Sequence, residues 1–109
     1  MRKSVMIDVG KDFSMYPAGR FVDDGPASGA AFRDKVLVPY LKSGQSVEVF
    51  LDNAEGYGSS FLEEAFGGLV RVGEWPASEL RTRVTIRSMD ESMIEEIWDY
   101  IEAADKARH

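Results

Sequence analysis

The chain has 109 residues, 44% of them hydrophobic and 29% charged, with a formal net charge of −6 at pH 7, no cysteine and a single histidine. That length fits one globular domain over residues 1–109, and with this composition disorder is not the default, while the missing cysteines exclude disulfides, thiolate metal sites and a cysteine nucleophile. The acidic balance speaks against a nucleic-acid surface, which needs a basic face to neutralise phosphate.

The first strand is expected over Ser4 to Val9, with Val5, Ile7 and Val9 on one face by period two. Asp8 interrupts this apolar stretch far short of a signal-peptide core. No run approaches the roughly 20 apolar residues needed to span a bilayer, so the cytoplasm is the expected location. Turns at Gly10-Lys11-Asp12 and Tyr16-Pro17-Ala18-Gly19 precede Arg20-Phe21-Val22, read as a short strand pairing back onto the first. Asp23-Asp24-Gly25-Pro26 is a loop by its turn chemistry.

Ser28 is placed to cap a helix reaching about Lys42, with Phe32, Val36, Leu37, Tyr40 and Leu41 as its apolar stripe. Pro39 predicts a kink or an early end, because it lacks a backbone donor and disfavours helical geometry at Val38. Val47, Val49 and Leu51, with Phe50 between, suit a central parallel strand. After the loop from Asp52 to Gly58 comes the clearest helix, its stripe formed by Phe61, Leu62, Ala65, Phe66, Leu69 and Val70. Gly67-Gly68 within it implies close backbone packing or an early helix end. Arg83 to Ser88 reads as a further strand with Val84 and Ile86 inward, and the clustered Arg81, Arg83 and Arg87 read as alternating along one solvated strand face. Asp90 caps the last helix, with Ile94, Ile97, Trp98 and Ile101 inward and an acidic outer face. The order β-β-α-β-α-β-α predicts an α/β domain of about four strands and three helices, its sheet mostly parallel with an antiparallel pair at the N-terminal end.

The chemistry-bearing candidates gather where strand, loop and helix meet between Asp52 and Ser60, since ligands of open α/β sheets bind at the carboxyl ends of strands. Gly58-Ser59-Ser60 offers a turn and two hydroxyls at a helix start. Ser60 with Glu63 also fits a capping box, and Ser59 is an alternative cap. No phosphate-binding Gly-x-x-x-x-Gly-Lys-Ser/Thr loop, dinucleotide fingerprint or Gly-x-Ser-x-Gly elbow is present. His109 ends the chain, where chains fray, and so does not support a hydrolytic triad. Carboxylate chemistry would fall to Asp52, Glu55, Glu63 or Glu64, and Asp23-Asp24 or Asp52-Asn53-Glu55 suits at most a weak hard cation. Arg20 either pairs with a nearby carboxylate or grips an anion bidentately.

Several runs together resemble the STAS-like family of unknown function: Gly19-Arg20-Phe21, Ser28-Gly29 with Phe32-Arg33, Val49-Phe50-Leu51-Asp52, and above all Gly56-Tyr57-Gly58-Ser59-Ser60-Phe61-Leu62-Glu63-Glu64-Ala65-Phe66-Gly67-Gly68-Leu69. The resemblance extends from about Val5 to Ile86. That family is similar to the STAS domains of anti-sigma factor antagonists, whose Asp-Ser-Ser/Thr-Gly-Leu motif carries a serine phosphorylated by a kinase-type anti-sigma factor. The resemblance implies a STAS-like domain and, by position, Ser59 as the modified residue with Ser60 its neighbour. Gly58 stands where the motif has Asp, and Phe61 where it has Gly.

The resulting expectation is a non-enzymatic, protein-binding regulatory module, with Ser59 and Ser60 as candidate phosphorylation sites. Arg20, Asp52, Gly58, Ser59 and Ser60 form the expected partner- or anion-binding set. The expected partner is a histidine-kinase-like ATPase or anti-sigma-like regulator, with no nucleic acid, membrane, metal or cofactor involved; a homodimer is compatible with the sequence. The alternative is a small-ligand or nucleotide sensor using the same helix start at Ser59.

Overall fold

The computed structural model describes residues 3–108. Three strands, β1 (Ser4–Asp8), β2 (Ser46–Phe50) and β3 (Val84–Arg87), form a wholly parallel sheet in the order β1-β2-β3. The register sets Val5, Val47 and Val84 in one row and Ile7, Val49 and Ile86 in the next. Those rows meet a core that contains Phe32, Phe61, Phe66, Leu69 and Ile97. Burying each such side chain contributes about 1.5–3 kcal/mol, so this face holds the domain together.

Five helices accompany the sheet among the described residues: α1 (Val9–Asp12), α2 (29–42), α3 (59–71), α4 (Ala77–Arg83) and α5 (Glu91–Ala107). Ser28 caps α2 by accepting from the Ala31 N–H at 3.1 Å, and Asp90 caps α5 by accepting from the Met93 N–H at 3.2 Å. Both are the caps expected from sequence. Pro39 neither ends nor interrupts α2, which continues to Lys42. Instead the turn before it, Arg33–Leu37, widens to π-helical bonding, with the Val38 N–H donating to the Arg33 carbonyl. A widened turn accommodates a proline without stopping the helix.

The predicted strand at Arg20-Phe21-Val22 is not formed. The Asp24 carboxylate accepts from the N–H groups of both Arg20 and Phe21, at 3.1 and 2.9 Å, and folds Val22–Asp24 into a 3₁₀ turn. An aspartate side chain that captures nearby backbone donors competes directly with strand pairing. Among the described residues the sheet therefore has three strands rather than four, without an antiparallel pair. Phe21 and Val22 are left 53% and 63% exposed.

The three clustered arginines do not share a strand face. Arg81 and Arg83 lie on α4, a helix that the sequence reading missed, and only Arg87 of the three is on the strand. Arg83 is buried, donating to the carbonyls of Leu41 and Gln45 and pairing with Glu79 at 2.9 Å. Arg81 lies 4.3 Å over the Trp98 ring, and Arg87 pairs with Glu48 of β2. The helices number five rather than three because α1 and α4 were each read as loop or strand.

On the other face of the sheet, Met6, Thr85 and Arg87 are exposed while Glu48 and Phe50 are half-buried. Parallel sheets are usually covered on both faces.

Candidate functional site

The loop after β2 is stapled at several points. Asp52 accepts from the Ser88 hydroxyl at 2.7 Å and from the Met89 N–H at 2.8 Å, fixing the turn between β3 and α5. The Asn53 amide donates to Asp8 at 2.5 Å. A Cβ on Gly10 would collide with the Asn53 carbonyl, so glycine is what lets α1 and the loop after β2 touch. Tyr57 donates its hydroxyl to the Leu51 carbonyl at 2.7 Å and lays its ring against Phe61. Burial pushes the Tyr57 phenol well above its ordinary pKa, and the negative charges of Asp52 and Asp8 add to this, so it stays protonated and donating.

Gly58 is the N-cap of α3, in extended geometry, and no side chain caps the helix. The predicted capping box is not formed, because the Glu63 carboxylate turns to Arg20 and to Arg71, which bonds it at 2.6 Å. Ser59 and Ser60 open the helix and are both exposed. Gly58 has room for a side chain, since nothing lies within 4 Å of where its Cβ would be. Tyr100 of α5 stands near Ser59. Its phenol is held above the ordinary range chiefly by the hydrogen bond to Glu96, with the Ser59 hydroxyl acting the other way.

Beneath the helix start lies a charge network that sequence reasoning did not find. Arg33 and Glu64, 5% and 4% exposed, pair between α2 and α3 at 2.5 Å, and Arg33 also donates to the Glu64 backbone carbonyl at 3.1 Å. Arg33 reaches Asp34 at 2.8 Å, while Glu64 also faces Arg71 at 3.1 Å and Arg20 at 3.4 Å. Three guanidinium groups thus meet three carboxylates, so the cluster is balanced in charge. Burial disfavours the charge on Arg33, yet the bonds to Asp34 and Glu64 outweigh it and raise its pKa. Burial likewise opposes ionisation of Glu63, but hydrogen bonds from Arg71 and Arg20 hold its carboxyl below the ordinary range. The hydrogen bond to Glu63 raises Arg20, against a smaller effect of burial.

The glycines of α3 are part of this arrangement. A Cβ on Gly68 would strike the Arg33 guanidinium, and one on Gly67 would lie 3.3 Å from the Tyr100 carbonyl. Gly67-Gly68 therefore marks close packing, with the helix continuing to Arg71. Both π-turns, Arg33–Leu37 and Glu63–Gly67, begin at members of the cluster. A side chain that bonds into a helix's carbonyl ladder is a recognised cause of such distortion. The signal available in the sequence was spacing: Arg33 shares the four-residue rhythm of Gly29, Leu37 and Leu41, which places it on the inner face of α2.

Of the predicted site residues, Gly58, Ser59 and Ser60 form one exposed helix start, and Arg20 sits on Glu63, one helical turn from Ser59. Asp52 is engaged with the β3–α5 turn instead. It borders a cleft of about 360 Å³ with Asp8, Asn53, Arg87, Ser88 and Met89, at the carboxyl ends of the strands. Among the described residues no group of three acidic or histidine side chains is arranged to hold a metal ion, Asp23-Asp24 and Asp52-Glu55 included. No helix there is long and apolar enough to cross a membrane.

A small α/β domain built on a parallel sheet, with an exposed Gly-Ser-Ser helix start after its central strand, is the class that these observations define. Residues 28–93 match the family model described as a STAS-like domain of unknown function, and the chain belongs to that family. The match begins at Ser28, so Gly19-Arg20-Phe21 lies outside it, and it runs past Ile86 to Met93. No curated protein and no solved structure matches the chain.

Proposed function

We propose that the chain is a non-enzymatic regulatory module that binds a protein partner through the 52–58 loop and the start of α3, with Ser59 as the residue whose phosphorylation changes that binding. The observation that carries this reading is that neither serine serves as a cap: both stand exposed at a helix start with no capping side chain. Membership of a STAS-like family supports a regulatory role, and the similarity of that family to anti-sigma factor antagonists supports a histidine-kinase-like ATPase or anti-sigma-like regulator as the partner.

The electrostatics suit a switch. A phosphate on Ser59 brings about two negative charges and three acceptor oxygens to a helix start, where the dipole favours them. It would sit at i,i+4 spacing from Glu63 and compete with that carboxylate for Arg20, while Arg71 continues to neutralise Glu63. Drawn from Glu63 toward the phosphate, Arg20 would hold the 18–25 segment against the first residue of α3 instead of its second turn, and the contact surface changes both charge and shape. Affinity capture of the tagged chain from its native cell, with mass spectrometry of bound proteins and of the Ser59 peptide, tests the proposal. A stoichiometric partner and a Ser59 phosphopeptide are expected; a chain recovered alone and unmodified under all growth conditions refutes it.

A further inference from the structure

The 13–28 segment, which the sheet does not use, lies against the candidate site. The Glu55 N–H donates to the Met15 carbonyl at 2.8 Å, joining its first half to the 52–58 loop. Arg20 joins its second half to α3 through Glu63 and Glu64. Between and beside these ties the segment turns apolar side chains outward: Tyr16 is 70% exposed, Val22 63%, Phe21 53% and Met15 45%. Single exposed apolar residues need no explanation, but four of them between Met15 and Val22, two of them aromatic, are a concentration of the kind that marks an interface. Phe21 and Val22 are held outward by design of the local backbone, since Asp24 takes the N–H groups that strand pairing would have used.

Charge decides what the patch can receive. Exposed Asp23 and Asp24 follow Val22 directly in the chain, exposed Glu55 is joined to Met15 through its N–H, and Arg20 on the same segment is already occupied by Glu63 and Glu64. An acidic rim repels anionic lipid and nucleic acid and attracts a basic protein surface. We infer that Met15, Tyr16, Phe21 and Val22 form the apolar centre of a docking surface for a protein partner that presents apolar side chains within a basic setting. This rests on the proposed partner-binding role and extends it, from the serine turn to a segment outside the matched family region.

Aromatic side chains at the centre of an interface carry most of its energy, and rim charges set its salt dependence. The test uses a defined probe, a fluorescent amphipathic leucine–lysine peptide, with a leucine–glutamate peptide of the same pattern as control. Fluorescence anisotropy on the full chain is expected to detect the basic peptide only, with weaker binding at high salt. Tyr16→Ser and Phe21→Ser should each weaken it about tenfold. Asp23→Asn should weaken it less, and Met6→Ser on the open sheet face should leave it unchanged. All four side chains are exposed, so the variants keep the core intact, which far-ultraviolet circular dichroism checks. Absence of binding, or binding indifferent to Tyr16 and Phe21, overturns the inference. A concentration-dependent dimer abolished by Phe21→Ser also overturns it, by giving the patch to a second copy of the chain. Ser59 is judged separately by capture from cells, so failure of the peptide test leaves that reading standing.

Discussion

Arg33 and Glu64 show how a charged residue can be a core residue. Alone, either would be costly to bury; together with Asp34, Arg71 and Arg20 each finds a counter-charge and hydrogen bonds. Glu64→Gln leaves Arg33 buried with its charge poorly matched, and is expected to lower the unfolding free energy by about 3–5 kcal/mol in urea denaturation. Replacing Arg33 and Glu64 together by methionine and leucine should cost much less, because no orphaned charge remains. Glu63 gives the network a pH signature. Its folded pKa lies below the ordinary value of 4.5, so its stabilisation is present above that value and is lost as pH falls through the folded pKa. The thermal unfolding temperature should therefore drop on acidification below about pH 4.5, and less steeply in Glu63→Gln. The Arg33–Glu64 pair was not legible from sequence, because its partners lie 31 residues apart on different helices. The caps Ser28 and Asp90 were legible, since a cap bonds only three residues onward.

Among the elements, α3 is the one whose start and packing obey different rules. Its apolar stripe made it readable in the sequence, and its buried face is the predicted one. Its start was misread because Ser60 and Glu63 have capping-box spacing, while the structure spends Glu63 on Arg20 and Arg71. Chemical denaturation distinguishes the two arrangements. Ser59→Ala and Ser60→Ala should each change stability by less than about 0.5 kcal/mol, whereas Ser28→Ala should cost about 1 kcal/mol. A loss at Ser60 equal to that at Ser28 would restore the capping box. The short α4 escaped notice because its seven residues bury only Ala77, Leu80 and Arg83, and its Arg81 and Arg83 fit an alternation with Arg87 that suggested a strand. The absent strand at Arg20 to Val22 escaped for the opposite reason, since a single side chain, Asp24, outcompeted the expected pairing.

At the scale of the whole molecule, the helical core fixes where function is available. Strands and helices converge on a well-packed interior, while the 13–28 segment contacts both the 52–58 loop and α3 directly. The fold class and the position of the turn were readable from hydrophobic periodicity; the apposition of Arg20 to α3 was not, because it arises from a loop with no periodicity to read. A photoreactive residue at position 60, crosslinked in the native cell and analysed by mass spectrometry, tests the central claim most directly. The account predicts a specific protein joined at position 60 and none at position 85 on the open sheet face. A crosslink at position 85 with none at position 60 would contradict it.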